Sequence, residues 1–176
     1  MENRIEDDVQ LEQGPSRSPM LNISQASTSE EIAAVRALMF EYHALLGVDL
    51  SFQSFDAEVR DLPGSYAPPR GRLLLATHDG SAVGCVALHE AGWPRAEMKR
   101  LFVRPSGRGL GLGRALVSAV LAQAVGIGYT EVVLDTLPSM AEAQRLYEHF
   151  GFRDIPAYRP NPVQGARYLS KSLIVA

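Results

Sequence analysis

Apolar positions along the chain change spacing several times, and each change marks an element. Leu21 and Ile23 alternate with polar neighbours, which predicts a short strand over 21–24. Thr28-Ser-Glu-Glu31 has the form of a capping box, and Ile32, Val35, Leu38, Met39, Tyr42, Leu45 and Leu46 follow at helical spacing up to Gly47. A shorter helix is expected from Phe52 to Leu62, ending at Pro63-Gly64. Two apolar runs, 72–77 and 82–88, flank His78-Asp-Gly-Ser81, whose Asp-Gly pair predicts a hairpin turn. After the break at Gly92-Trp-Pro94 a third strand is expected from Arg95 to about Val103.

Beyond a glycine-rich segment, Leu112, Leu116, Val120, Ala124 and Ile127 share one face of a long helix. Glu131–Asp135 reads as a strand, and Ser139-Met-Ala-Glu142 as a second capping box. The helix it opens carries Ala143, Leu146, Tyr147 and Phe150, and Gly151 is placed to end it. A Pro-rich loop (156–162) and a last strand near 167–173 complete the order. Helices, a hairpin and third strand, then strand–helix–strand–helix–strand predict an α/β domain: a mixed sheet in three layers, with helices on its faces.

Composition narrows the function classes. Residues 1–19 are polar and include Gly14-Pro-Ser-Arg-Ser-Pro19, so a disordered tail is expected there and one domain over 20–176. Seventeen Lys+Arg against 20 Asp+Glu, a net charge of −3, argues against a nucleic-acid partner. One cysteine, Cys85, cannot form an internal disulfide, which suits a reducing compartment. The acidic start lacks the apolar core of a signal peptide, and no apolar run suits a membrane span, so a cytoplasmic location is expected.

The chemistry begins with Arg108-Gly-Leu-Gly-Leu-Gly113. Glycines between a strand and a helix let backbone amides approach an anion, and the helix start adds partial positive charge. Arg104, Arg108 and Arg114 lie beside them. The spacing excludes the dinucleotide fingerprint G-x-G-x-x-G, and Arg114-Ala115 replaces the Lys-Ser/Thr pair of a P-loop. The segment does fit Arg/Gln-x-x-Gly-x-Gly/Ala.

Glu97-Met-Lys-Arg-Leu-Phe-Val-Arg-Pro-Ser-Gly-Arg-Gly-Leu-Gly-Leu-Gly-Arg-Ala-Leu116 resembles the central motif of the GNAT superfamily of N-acyltransferases. Ala143-Gln-Arg-Leu-Tyr-Glu-His-Phe-Gly-Phe152 is similar to that family's Ala-x-x-Leu-Tyr-x-x-x-Gly-Phe signature. The resemblance spans residues 21–176. It implies a central, mostly antiparallel, splayed sheet with helices on both faces, and acetyl-CoA as co-substrate with no metal. It further implies that the backbones of Leu101, Phe102 and Val103 pair with the pantetheine arm. The pyrophosphate would lie on the amides of Arg108, Gly109, Leu110, Gly111, Leu112, Gly113 and Arg114. Glu97 matches the position of a general base, acting directly or through water, and Tyr147 matches the tyrosine that protonates the departing sulfur. Strand alternation by itself puts Glu97, Lys99, Leu101 and Val103 on one face.

The resemblance implies acetylation of a primary amine, expected to belong to a small molecule. A protein or peptide acceptor and a non-catalytic acyl-CoA sensor are the alternatives, and a homodimer is left open. Arg159 in Tyr158-Arg-Pro-Asn-Pro162 suggests a loop closing over an anionic acceptor. His43, His78, His89 and His149 are scattered without metal-ligand spacing, so they are read as surface residues.

Overall fold

The computed structural model describes residues 20–49, 51 and 54–174. The tail at 1–19, and Phe52 at the predicted start of the second helix, lie outside them. Seven strands form one sheet in the order β1-β2-β3-β4-β5-β7-β6. They are β1 (Leu21–Gln25), β2 (Arg72–His78), β3 (Ser81–Glu90), β4 (Arg95–Val103), β5 (Glu131–Thr136), β6 (Arg153–Asp154) and β7 (Arg167–Ser172). The helices are α1 (Ser29–Leu46), α2 (Phe55–Arg60), α3 (Leu112–Ile127) and α4 (Ala141–His149). All neighbouring strands are antiparallel except β4 and β5, which the α3 crossover makes parallel.

Local chemistry accounts for most boundaries. The Thr28 side chain accepts from the Glu31 amide at 3.2 Å, and the Glu31 carboxylate accepts from the Thr28 amide at 3.0 Å, so the first capping box is formed. Asp79 (φ 49°) and Gly80 (φ 80°) both take left-handed backbone, the geometry of a two-residue hairpin loop whose twist suits β2 and β3. Gly151 (φ 85°) follows the last turn of α4 as expected. The second capping box is not formed: α4 is capped by Met140 without a side-chain bond, leaving Ser139 outside the helix. The second helix is confined to Phe55–Arg60, and the two-residue β6 has no periodicity by which the sequence could announce it.

Each face of the sheet has its own core. Leu74, Val86, Met98, Leu134 and Phe152 are buried beneath α3 and α4. Leu73, Cys85, Ala87 and Phe102 are buried beneath α1 and α2. Burying a Leu, Val, Met or Phe side chain contributes roughly 1.5–3 kcal/mol each, so both layers hold the sheet.

The decisive irregularity is in β4. Its register with β3 pairs Ala87 with Lys99 and then Cys85 with Phe102, so Arg100 and Leu101 together oppose Val86. This is a β-bulge, with Arg100 at φ 58°. It reverses the facing of the strand. Leu101 and Val103 pack toward α3, whereas Glu97 stands across from His89 on the α1/α2 side. The expectation that Glu97, Lys99, Leu101 and Val103 share one face is therefore overturned, because the bulge inserts one residue into the alternation.

Candidate active site

β4 pairs with β5 only at Arg95, Ala96 and Glu97; from Met98 onward the two strands part. The bulge is held from one side, where the Arg100 guanidinium donates to both oxygens of Glu58 at 2.9 and 2.7 Å and lies over the Phe55 ring. Three spaces lie around the parted strands. A groove of about 790 Å³ runs along Leu101–Val103, Gly107–Gly109 and Gly111–Arg114, with Ser139–Ala143 and Leu146 opposite. A narrow throat of about 40 Å³ between β4 and β5 is lined by Tyr42, Lys99, Leu101, Asp135 and Tyr147. An outer cavity of about 370 Å³ lies on the α2 side, lined by Glu58, Tyr66, His89 and Lys99. Tyr42 and Leu101 belong to both groove and throat, and Lys99 to both throat and outer cavity.

The groove has the features of an anion cradle. Gly109 (φ 79°) and Gly111 (φ 73°) occupy left-handed backbone that side chains rarely adopt, and Gly111 is the N-cap of α3. Among the described residues the amides from Gly109 to Arg114 have no hydrogen-bond partner, so they and the start of α3 are available to a phosphate. Gly113 serves packing as well, since a Cβ there would lie 3.4 Å from Leu146. Of the arginines expected near the anion, Arg104 is already committed: it clasps Glu41 at 2.8 and 2.6 Å and donates to the Ala82 carbonyl. Arg108 pairs with no carboxylate among the described residues, and Arg114 contacts His149.

Tyr147 projects from α4 into the throat, its side chain packed on Phe152. Among the described residues its hydroxyl has no hydrogen-bond partner, and the side chain lines the throat. Burial, together with the Tyr42 and Asp135 side chains, raises its pKa and keeps the proton on.

Glu97 is the centre of a buried polar cluster. Its side chain is 5% exposed, and it accepts from the Tyr158 hydroxyl at 2.8 Å and faces His89 Nε2 at 2.8 Å. Arg159 approaches it to 2.8 Å and also bonds Asp135 at 2.7 Å. Burial pushes the Glu97 carboxyl upward, but the His89 contact, the charges of Lys99 and Arg159 and the Tyr158 hydroxyl outweigh it and hold the group down at about 2. Arg159 is thus turned inward between two carboxylates instead of outward to an anionic acceptor. Lys99, 10% exposed, has its nearest carboxylate oxygen, on Glu58, at 3.9 Å; burial and the neighbouring Arg100 lower its pKa.

The structure therefore brings Leu101, Phe102, Val103, Arg108, Gly109 and Gly111–Arg114 to one groove, and Tyr147 to the throat. Leu110 is exposed outside the groove lining, and the Arg108 amide is taken by the Pro105 carbonyl at 3.2 Å, so neither backbone is placed as expected. Glu97 lies beyond the throat on the opposite face. His89, read from the sequence as a surface residue, is instead one quarter exposed and set against Glu97, and Lys99 completes that side. Only their cross-strand and i+2 relation to Glu97 pointed to them. Among the described residues no group of three or more His, Cys, Asp or Glu side chains is placed to hold a metal, and no helix is long and apolar enough to cross a membrane.

The family model described as Acetyltransferase (GNAT) family matches residues 35–152. An uncharacterized N-acetyltransferase of Schizosaccharomyces pombe is 40% identical over 151 residues, covering 85% of this chain and 93% of its own. An IAA acetyltransferase of Azospirillum brasilense is 33% identical, covering 82% of this chain and 95% of its own. Among solved structures, a GNAT-family acetyltransferase of Staphylococcus aureus superposes with a TM-score of 0.74 at 20% identity, over 88% of this chain and all of the other.

Proposed function

The chain belongs to the GNAT acetyltransferase family, and from that premise we propose that it moves an acetyl group from acetyl-CoA to the primary amine of a small molecule. The observation that carries this reading is the succession of three spaces that share lining residues. The anion cradle shares Tyr42 and Leu101 with a throat lined by the protonated Tyr147, and the throat shares Lys99 with a polar cavity on the α2 side of the sheet. A ligand with phosphates at one end and a reactive group at the other fits the first two, and an acceptor fits the third.

Gly109 and Gly111–Arg114 would hold the pyrophosphate through their amides, and the unpaired edge of β4 at Leu101–Val103 would pair with the pantetheine amides. Bound acetyl-CoA supplies an acyl carbon activated by a thiol leaving group. Tyr147 holds a proton at the throat and can deliver it to the sulfur as the C–S bond breaks. Glu97 supplies the negative charge on the acceptor side, where a proton must leave the attacking amine. The outer cavity, about 370 Å³, is within the size that encloses a small molecule, which supports a small acceptor over a folded protein.

Two variants test the assignment. Tyr147→Phe is expected to lower kcat by roughly 10²-fold, because a positioned acid contributes on that order. Acetyl-CoA affinity by calorimetry and Tm should be unchanged, since the hydroxyl has no hydrogen-bond partner among the described residues. Glu97→Gln should lower kcat while preserving acetyl-CoA affinity. Full activity in both would remove these residues from the chemistry. Tight acetyl-CoA binding without turnover would favour a sensor on the same fold.

A further inference from the structure

We propose that His89 is the base that takes the acceptor amine's proton, and that Glu97 is the residue that positions its imidazole. The inference rests on the acetyl-transfer reading above.

Glu97 lines neither groove, nor throat, nor outer cavity. Tyr158, Arg159 and His89 enclose it and occupy its oxygens, so an amine has no path to the carboxylate. His89 is one quarter exposed and lines the outer cavity beside Lys99, the residue that cavity shares with the throat. A carboxylate can only accept, so its bond at 2.8 Å places a proton on His89 Nε2 and leaves the Nδ1 lone pair free in the neutral ring. Nδ1 makes no hydrogen bond, and the one buried side-chain nitrogen or oxygen without a partner among the described residues is Arg159 Nε. Nδ1 is therefore not sealed off, on a ring that lines the cavity. The Tyr66 ring meets the imidazole edge-on at 5.8 Å and fixes its plane.

This arrangement divides two tasks that one carboxylate serves poorly here. Glu97, held down at about 2, is too weak a base to deprotonate an ammonium or an attacking amine at neutral pH. Held as a permanent anion, it is suited to orient an imidazole and stabilise the imidazolium that forms. The step balances: the amine nitrogen bonds the acyl carbon, the C–S bond breaks, the amine proton passes to Nδ1 and the Tyr147 proton passes to the sulfur. The charged and titratable groups around the imidazole are Glu97, which it contacts, and the residues that line the cavity with it: Lys99 from β4, Glu58 from α2, Asp61 just after α2 and Tyr66 from the 3-10 turn at Gly64–Tyr66.

Two readouts test it. In pH–rate profiles of kcat/KM, the wild type should gain activity as His89 loses its proton. His89→Gln should lose about 10²–10³-fold in kcat and that limb of the profile, while binding acetyl-CoA normally. Glu97→Gln should lower kcat with acetyl-CoA affinity unchanged, because the imidazole loses the anion that orients it. Independently of turnover, long-range ¹⁵N–¹H NMR of His89 should show the Nε2–H tautomer in the wild type and its loss in Glu97→Gln. His89→Gln within threefold of wild type, with an unchanged profile, overturns the proposal, as does an Nδ1–H tautomer. A wild type that releases no CoA with any amine overturns acetyl transfer itself, and the base role with it.

Discussion

Replacing Glu58 by alanine strands the Arg100 guanidinium, 3% exposed, without the carboxylate that accepts from it at 2.9 and 2.7 Å. It also removes the acceptor of the Tyr66 hydroxyl at 2.7 Å. Breaking a buried pair from one side costs roughly 3–5 kcal/mol, because the remaining charge keeps its desolvation penalty without compensation. In a chain of 176 residues that corresponds to a fall in Tm of about 6–20 °C. Arg100→Met should remove the charge and leave a flexible apolar chain against Phe55. The double variant should therefore be much more stable than the sum of the two losses, by about 2–3 kcal/mol in a double-mutant cycle. Urea and thermal unfolding of the four proteins measure it. Additive losses, or a Glu58→Ala Tm within 2 °C of wild type, would refute the view that this pair anchors the β4 bulge.

Three further outcomes are expected. Gly111→Ala places a Cβ at φ 73° and should cost about 1–2 kcal/mol of stability, with weaker acetyl-CoA binding by calorimetry. Arg104→Gln should leave acetyl-CoA affinity and its salt dependence unchanged, because that guanidinium is spent on Glu41, whereas Arg114→Gln should weaken both. Glu97 has a folded-state pKa of about 2, below the ordinary 4.5, so its ion pairs contribute stability above pH 4.5 that is lost as pH falls toward 2. The loss is on the order of 3 kcal/mol in acid unfolding, and Glu97→Gln should abolish that part of the slope.

Much of the sheet was legible in the sequence, because β2, β3 and β5 carry continuous apolar runs and Asp79-Gly80 specifies its own turn. The cradle was legible too, since left-handed glycines and a helix start follow from residue type and spacing at Gly109 and Gly111. Three features were not. A bulge has no periodicity of its own, so the turn of Glu97 away from Leu101 could not be read from alternation. Ser139 has the right letter for a cap but sits one residue too early once Leu137 and Met140 close a turn through their backbones. The cluster of His89, Glu97, Asp135 and Arg159 joins three strands and a loop, and only the register of β3, β4 and β5 reveals which of their side chains meet. Arg159 illustrates the point: an outward-facing cation on paper, it is a half-buried clamp between two carboxylates in the fold.

The central claim is acetyl transfer from acetyl-CoA to an amine through the throat between β4 and β5. Its most direct measurement is thiol release from acetyl-CoA across a panel of amino acids, polyamines, aminoglycosides and peptides, with mass spectrometry of the product. The predicted result is CoA release that depends on one class of small amine, one acetyl group gained per thiol released. Release with no amine acetylated, or binding of ATP or NAD in place of acetyl-CoA, would contradict it.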